Sequence, residues 1–262
     1  MTYSTIRVDI EDSGVAHLVL ARRDKHNALN AEMISDLTEA AAVLGAQREV
    51  RVVVLTADGT TFCAGADLDW MKQQFGANRE KRIAEARALA HMLRALNELP
   101  KPLIAGVQGA AYGGGVGIVS VCDAVIASDS AKFGLTETRL GLIPATIGPY
   151  VVQRIGDGHA RRLILSARNF DANEARQIGL VSNVVPSAEL EASAREEASR
   201  FLTVAPGAVQ SAKALIRRLV KPIGDDVIED TISRLADAWE TDEVAEGISA
   251  FFEKRKPSWF RG

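Results

Sequence analysis

The chain has 262 residues, of which 47% are hydrophobic and 25% are charged. This composition is typical of a globular protein, and the length fits one large α/β domain or a core with a small appendage. The net charge of −3 gives no indication of a nucleic acid or an anionic membrane as a partner, and neither is expected.

The first quarter of the chain alternates strand and helix patterns. The runs "TIRVDI" and "VAHLVLA" flank the turn signal "EDSG" and predict a β-hairpin. The segment "NAEMISDLTEAAAVLGA" has helical periodicity after a polar start at Asn30. The run "VRVVVLTA" then predicts a buried strand.

The middle of the chain continues this alternation. A loop, "DGTTFCAGADLDWM", runs into a helix, and residues 79–99 predict a long amphipathic helix that ends before Pro100. The runs "PLIAGVQG" and "DAVIASD" predict strands on either side of a glycine cluster. Strands alternating with helices predict a mostly parallel sheet flanked by helices, an α/β fold.

The second half of the chain is almost wholly helical in pattern. From Thr146 onward, helix starts are expected near Asp157, Asp171, Ser187 and Asp225. The helical tail after about residue 186 is interpreted as a subdomain or as an arm for oligomerisation.

The uncharged segment 102–122 is just long enough to span a membrane. Six glycines interrupt it, and Gln108 is polar. We therefore expect a strand, a glycine turn and a buried helix rather than a membrane span.

Five glycines fall within residues 109–117, and two kinds of site explain such a cluster. Residues 115–120 approximate the dinucleotide motif G-x-G-x-x-G, and Glu137 follows where a ribose-binding acid is found. However, the third glycine is replaced by Ser120, and residues 110–112 separate the strand from the motif. The alternative is an oxyanion hole, in which amides at a helix start face a developing negative charge. The loop "FCAGADL" offers the second donor.

Four blocks carry a family resemblance: "FCAGADLDW", "KPLIAGVQGAAYGGGVG...CD", "AKFGLTETRLGLIP" and "FFEKRKPSW". In order and spacing they resemble the crotonase family of enoyl-CoA hydratases and isomerases over essentially the whole chain. The details are most similar to the bacterial methylglutaconyl-CoA hydratase branch, which serves leucine and acyclic-terpenoid breakdown.

The resemblance implies a crotonase-like spiral of ββα turns with a helical C-terminal trimerisation region. Residues 1–186 would form the spiral core with the active site, and residues 187–262 the helical region. Trimers, or hexamers made of two trimers, are implied as the assembly. The substrate would be an acyl-CoA thioester whose oxygen is held by the backbone amides of Ala66 and Gly114.

Hydratases of this family resemble one another in using two glutamates. The second matches Glu137, but the position of the first is occupied by Gly117. Glu137 would then act as the acid–base alone or with an unidentified helper. The alternative interpretation, based on the local sequence alone, is that Glu137 is a surface acid paired with Arg139.

The remaining candidates follow from the matched motifs or from local sequence. Asp67 is expected as a helix cap and Asp123 at a strand end or turn, and Tyr112 lines the acyl pocket or packs in the core. Lys25 and Lys254 match positions that contact CoA in relatives. The full set of expected substrate or CoA contacts is Lys25, Ala28, Ala64, Gly65, Asp67, Leu68, Tyr112, Gly117 and Lys254.

Neither a cofactor nor a metal is expected, since CoA belongs to the substrate and the four histidines lack metal-ligand spacing. Cys63 and Cys122 are expected to be buried thiols. The polar, acidic N-terminus resembles neither a signal nor a transit peptide, which predicts a cytoplasmic protein. The expected function is hydration of an α,β-unsaturated acyl-CoA. The alternatives are an enoyl-CoA isomerase with one glutamate and a non-catalytic CoA-ester-binding scaffold.

Overall fold

The computed structural model describes residues 3–261, which form two sheets surrounded by helices. The strands are β1 (Ile6–Ile10), β2 (Val15–Leu20), β3 (Val52–Ala57), β4 (Thr61–Cys63), β5 (Leu103–Val107), β6 (Ala110–Tyr112), β7 (Ala124–Ser128), β8 (Lys132–Gly134), β9 (Asn169–Asp171) and β10 (Asn183–Val185). The helices are α1 (Ala31–Ala46), α2 (Leu68–Phe75), α3 (Arg79–Glu98), α4 (Gly114–Ser120), α5 (Gly148–Ser166), α6 (Ala172–Gln177), α7 (Leu190–Leu202), α8 (Pro206–Leu219), α9 (Asp225–Ala238) and α10 (Asp242–Phe252).

The larger sheet has six strands in the order β1-β2-β3-β5-β7-β10. The predicted hairpin is confirmed, because β1 and β2 pair antiparallel, with Ile6 opposite Leu20. Every other pairing in this sheet is parallel. All residues of β5 and β7 are buried, as expected for parallel strands that are covered on both faces.

The smaller sheet has the order β4-β6-β8-β9. Strands β4, β6 and β8 are parallel: Thr61 pairs with Ala110, and Tyr112 with Gly134. Their carboxyl ends therefore lie side by side at one edge of the sheet. The loops that leave this edge contain the three sequence motifs in which the oxyanion amides and Glu137 were expected.

Helix α7 packs on the larger sheet, and helix α9 packs on the long helix α3. Ala194 and Ala198 of α7 pack in a buried cluster with Val52, Val54 and Ile104 of the larger sheet. In a second buried cluster, Ile228 and Ile232 of α9 pack against Ala86 and Ala90 of α3. The proposed boundary near residue 186 stays a prediction.

Most predicted elements are confirmed, and the differences have local causes. The helix at α1 is capped by the Asn30 side chain, which accepts the Met33 N–H. The five three-residue strands β4, β6, β8, β9 and β10 were not predicted, because three residues are too few to display a period of two. The expected start near Asp157 follows a break inside α5 at Gly156, where φ is 78°.

In residues 102–122 the predicted strand, glycine turn and buried helix are confirmed as β5, the turn at Gly113 and α4, and the short strand β6 is added between β5 and the turn. Within residues 3–261, no helix combines the length and the apolar character needed to cross a bilayer.

Candidate active site

The loop after β4 presents one unpaired backbone amide. Leu29 N–H donates to the Gly65 carbonyl at 2.7 Å, and Asp67 N–H donates to the Leu29 carbonyl at 2.9 Å. Between them, the Ala66 N–H donates to no acceptor in the described part of the chain. Gly65 allows this path, because its φ of 91° is disfavoured for residues with a side chain.

Asp67 fixes the start of α2 just beyond that amide. Its Oδ1 accepts the N–H groups of Asp69 and Trp70, so the expected helix cap is confirmed. Its Oδ2 accepts a hydrogen bond from Arg22 at 2.8 Å, and both side chains are largely buried. This ion pair links the loop after β4 to the segment that follows the hairpin.

The loop after β6 presents the second unpaired amide. Gly113 N–H donates to the Gly134 carbonyl at 2.9 Å, and its φ of 48° turns the chain into α4. Gly114 is the first residue of α4, so its N–H has no partner within the helix. It also meets no other acceptor in residues 3–261. A Cβ built on Gly113 would lie only 3.9 Å from the Gly65 Cα, so the two loops touch.

Glu137 begins a 3₁₀ turn, Glu137–Leu140, after β8 and directs its carboxyl at the glycine turn. A Cβ built on Gly113 would lie 3.1 Å from the Glu137 Oε1. The Oε2 atom is buried and accepts no hydrogen bond from residues 3–261. Burial raises the pKa of this carboxyl to about 7. Arg139 is exposed and makes no ion pair with Glu137, so the alternative of a paired surface acid is wrong.

The raised pKa of Glu137 predicts how the stability of a Glu137→Gln variant depends on pH. A folded-state pKa above the unfolded value means that stability is lost as pH rises through about 7. Gln cannot ionise, so the variant should melt at a higher temperature than the parent at about pH 8. The difference should shrink at about pH 5. Thermal unfolding at both values tests this, and a difference that is equal at both would contradict it.

The two amides and Glu137 lie at one cavity of about 360 Å³. Six expected site residues line it: Ala64, Gly65, Ala66, Leu68, Tyr112 and Gly114. Glu137 lines it as well, and most of the other walls are apolar side chains. A mostly apolar cavity with a few convergent polar groups is typical of a small-molecule site.

Gly117 does not line this cavity, and the expectation that it contacts the substrate is corrected. It is buried in α4, where a Cβ would lie 2.4 Å from the Ile147 Cγ2 and 3.6 Å from the Leu93 Cδ2. The volume that a glutamate side chain would need is therefore filled by Ile147. Ile147 lines the cavity and packs against Gly117. The absence of a side chain at Gly117 therefore gives a bulky acyl group no additional space.

This packing predicts that Gly117→Ala and Ile147→Ala are coupled. The first should destabilise the protein by about 1–3 kcal/mol through overpacking, and the second by about 2–5 kcal/mol through a cavity. The double variant should cost clearly less than the sum, because each change relieves the other. Urea unfolding of the four proteins measures the coupling. Additivity within about 0.5 kcal/mol would contradict the contact.

The other expected CoA contacts lie outside the cavity. Lys25 is exposed and pairs with Asp69 at 3.2 Å, and Lys254 is exposed after α10. Ala28 is buried, and its carbonyl accepts a hydrogen bond from Arg22. The binding roles of these residues stay predictions.

Several cavity residues were not expected from sequence: Trp70, Gln74, Arg82, Glu85, Leu89, Thr136, Ile147, Leu235, Trp239 and Phe251. For the residues on α3, the sequence contains a usable pattern: positions 82, 85, 86 and 89 are spaced so that they share one face of a helix. For Leu235, Trp239 and Phe251 no local signal exists, because only tertiary packing brings α9 and α10 to this cavity.

Residues away from the cavity have structural roles. Cys63 and Cys122 are buried free thiols, as expected, and burial raises the pKa of each to about 12. Asp123 accepts the Leu103 N–H at 2.7 Å and the Lys213 ammonium at 2.6 Å, which anchors the start of β5. The part of the chain described by the structure holds no group of three His, Cys, Asp or Glu side chains suited to a metal ion.

Comparison with known proteins identifies the family of the chain. Residues 10–261 match the family model described as enoyl-CoA hydratase/isomerase. The short-chain-enoyl-CoA hydratase of Clostridium acetobutylicum is 35% identical over 261 residues, which cover 97% of each chain. The crystal structure of an enoyl-CoA hydratase from Mycobacterium avium has a TM-score of 0.89 at 30% identity, covering 99% of this chain and 100% of that one.

A second solved structure, an enoyl-CoA hydratase from Shewanella pealeana, has a TM-score of 0.80 at 36% identity and covers 98% of this chain and 96% of that one. Agreement over the whole chain excludes a dinucleotide-binding fold, so the G-x-G-x-x-G interpretation of residues 115–120 is wrong. The two free amides and the buried carboxyl thus lie within a fold shared along its full length with hydratases, and the chain belongs to the enoyl-CoA hydratase/isomerase family, the crotonase superfamily.

Proposed function

We propose that the protein adds water to α,β-unsaturated acyl-CoA thioesters, and removes it in the reverse direction. One observation carries the proposal: Glu137, whose buried Oε2 has no hydrogen-bond partner in residues 3–261, lies with two unpaired backbone amides at an apolar cavity. An unpaired buried polar atom costs stability, so the Glu137 Oε2 atom beside two free amides indicates a ligand that satisfies them.

In the proposed reaction, the thioester oxygen accepts hydrogen bonds from the Ala66 and Gly114 N–H groups. This draws electron density from the double bond and makes Cβ electrophilic. Glu137 takes a proton from water as the water oxygen bonds to Cβ, and the amides hold the negative charge that forms on the thioester oxygen. The enolate collapses as Glu137 returns the proton to Cα. One carboxyl performs both transfers, and a pKa of about 7 suits it to both.

The mostly apolar lining of the cavity favours a substrate with a branched or extended acyl group that carries no charge. A glutaconyl group, as in methylglutaconyl-CoA, ends in a second carboxylate that needs a cation. Among residues 3–261, Arg82 is the cation that lines this cavity, and its Nε and NH2 groups already donate to the Gln74 and Phe75 backbone carbonyls at 2.9 Å. We therefore propose a related branched acyl-CoA in preference to methylglutaconyl-CoA itself.

A panel of acyl-CoA substrates with product analysis by mass spectrometry tests this function. The panel contains straight-chain enoyl, branched enoyl and methylglutaconyl thioesters. A product heavier by one water supports hydration, and the thioester with the highest kcat/KM identifies the acyl class. Tight binding without turnover of any member would contradict the proposal and support a non-catalytic scaffold.

The second candidate function is a double-bond isomerase, which moves one proton from Cγ to Cα with a single carboxylate. The packing of Ile147 on Gly117 favours it, because a carboxylate cannot occupy that position without displacing Ile147. In the same assay, an unchanged product mass with a shifted double bond would identify isomerisation.

We further infer that the protein assembles as a trimer or as a hexamer of two trimers. Helix α8 supports this, because none of its residues is buried, and Leu215, Ile216 and Leu219 are exposed. Such an apolar face is typical of a surface covered by another subunit. Sedimentation should show a trimer-based species, and a stable monomer at micromolar concentration would contradict it.

A further inference from the structure

The helices α2 and α3 place four polar or aromatic side chains together in the wall of the cavity. Trp70 and Gln74 share one face of α2 at positions i and i+4, and Arg82 and Glu85 share one face of α3 at i and i+3. All four line the cavity. We call this group the polar corner; most of the remaining lining is apolar.

Hydrogen bonds hold the polar corner in place. Arg82 donates from Nε to the backbone carbonyl of Gln74 at 2.9 Å, and the Arg82 guanidinium lies 5.3 Å from the centre of the Trp239 ring. Trp70 Nε1–H donates to the Glu85 Oε2 at 3.1 Å. The Glu85 side chain is therefore oriented by an indole rather than neutralised by an ion pair.

Two groups in the polar corner have unused hydrogen-bonding capacity. Gln74 is only 5% exposed, and its Nε2 is buried without an acceptor. The Glu85 Oε1 accepts no hydrogen bond from any residue in the range 3–261. A buried amide donor with no acceptor costs folding free energy, so a ligand atom that accepts its hydrogen bond would be bound favourably.

A hydroxyl group can form hydrogen bonds with both the Gln74 amide and the Glu85 carboxylate. Its oxygen accepts from the Gln74 amide, and its hydrogen is donated to the Glu85 carboxylate. A carboxylate would be repelled by Glu85, and an alkyl end would leave both groups unpaired. The polar corner is displaced along α2 from the Ala66 amide, since Gln74 is six residues beyond Leu68, about 9 Å of helix.

We infer that the acyl group of the substrate carries a hydroxyl at its far end, as an alcohol or a phenol, which Gln74 and Glu85 bind. This inference rests on the proposed hydration of enoyl-CoA thioesters and names the substrate class of that same cavity.

The test compares pairs of 2-enoyl-CoA thioesters of equal length, with and without a terminal hydroxyl, from butenoyl to dodecenoyl. At one or more lengths the hydroxylated member should have a kcat/KM at least about tenfold higher, because a site built for a hydroxyl discriminates strongly against its absence. If the alkyl member is hydrated at least as fast at every length, the inference is overturned and the proposed function stands. If no member of either series is hydrated, the proposed function fails and the inference fails with it.

Variants locate the preference in the polar corner. Gln74→Leu and Glu85→Leu should each lower kcat/KM for the hydroxylated thioester and bring the ratio of the two substrates close to one. Glu80→Leu is the matched control, since Glu80 is exposed on α3 outside the cavity, and it should keep the parental ratio. A ratio unchanged in folded Glu85→Leu would overturn the role of Glu85.

Discussion

Replacing Glu137 with glutamine is expected to lower kcat by about 10²–10⁴-fold, the usual contribution of general acid–base catalysis. Gln keeps the size of the side chain but cannot exchange a proton with water or with Cα. Binding of the thioester should change little, because its oxygen would be held by the backbone amides of Ala66 and Gly114. Steady-state kinetics on the best substrate of the panel, with dissociation constants for a product-like thioester, separates the two effects.

The pH profile gives a second measurement on the same residue. Glu137 must be ionised to take a proton from water, and burial raises its pKa to about 7. The parental kcat/KM should therefore rise with pH through about 7 and level off above it. Glu189→Gln is the matched control, because Glu189 is an exposed acid in another 3₁₀ turn, Ser187–Glu189. Near-parental turnover by folded Glu137→Gln on every substrate would reject the assignment.

Replacing Gly114 with proline is expected to lower kcat by about 10²–10³-fold, equivalent to about 2.7–4 kcal/mol in the transition state. Proline has no N–H, so the change deletes one of the two proposed oxyanion donors. Gly114 is the first residue of α4, a position at which helices tolerate proline, and its N–H has no partner among residues 3–261. Turnover measured at saturating substrate reports the loss.

The matched control for this change is Gly114→Ala. A Cβ at this position would lie 2.7 Å from the Leu29 Cδ1, so both variants must displace the same leucine methyl group. Only alanine keeps the N–H. The ratio of the two variants therefore isolates the hydrogen bond, once circular dichroism confirms that both are folded. Equal turnover by the two variants would show that the Gly114 amide does not stabilise the transition state.

The sequence determined the regular elements wherever a pattern was long enough to be read. The hairpin, α1 and α3 were predicted correctly, because their apolar periods and caps are local properties of ten to twenty residues. The three-residue strands of the smaller sheet were missed, since their pairing depends on distant partners. Yet β4, β6 and β8 are the elements that bring the three site loops together.

Some residues of the candidate site were also predictable from the sequence, and others depended on the tertiary structure. Ala66, Gly114 and Glu137 could be named from the sequence because the short motifs that contain them resemble those of the crotonase family, and their catalytic roles stay predictions. Tertiary structure alone decided what surrounds Gly117, since the side chain that fills its space, Ile147, comes from a different loop.

The polar corner was likewise decided only by tertiary structure. Trp70 and Glu85 are visible in the sequence, but nothing local shows that the indole of one helix donates to the carboxylate of the next. Hydrogen bonds and close packing depend on distances of a few ångströms between segments that are distant in the chain. Periodicity assigns a residue to a helix face, and only the packing of α2 against α3 decides what that face meets.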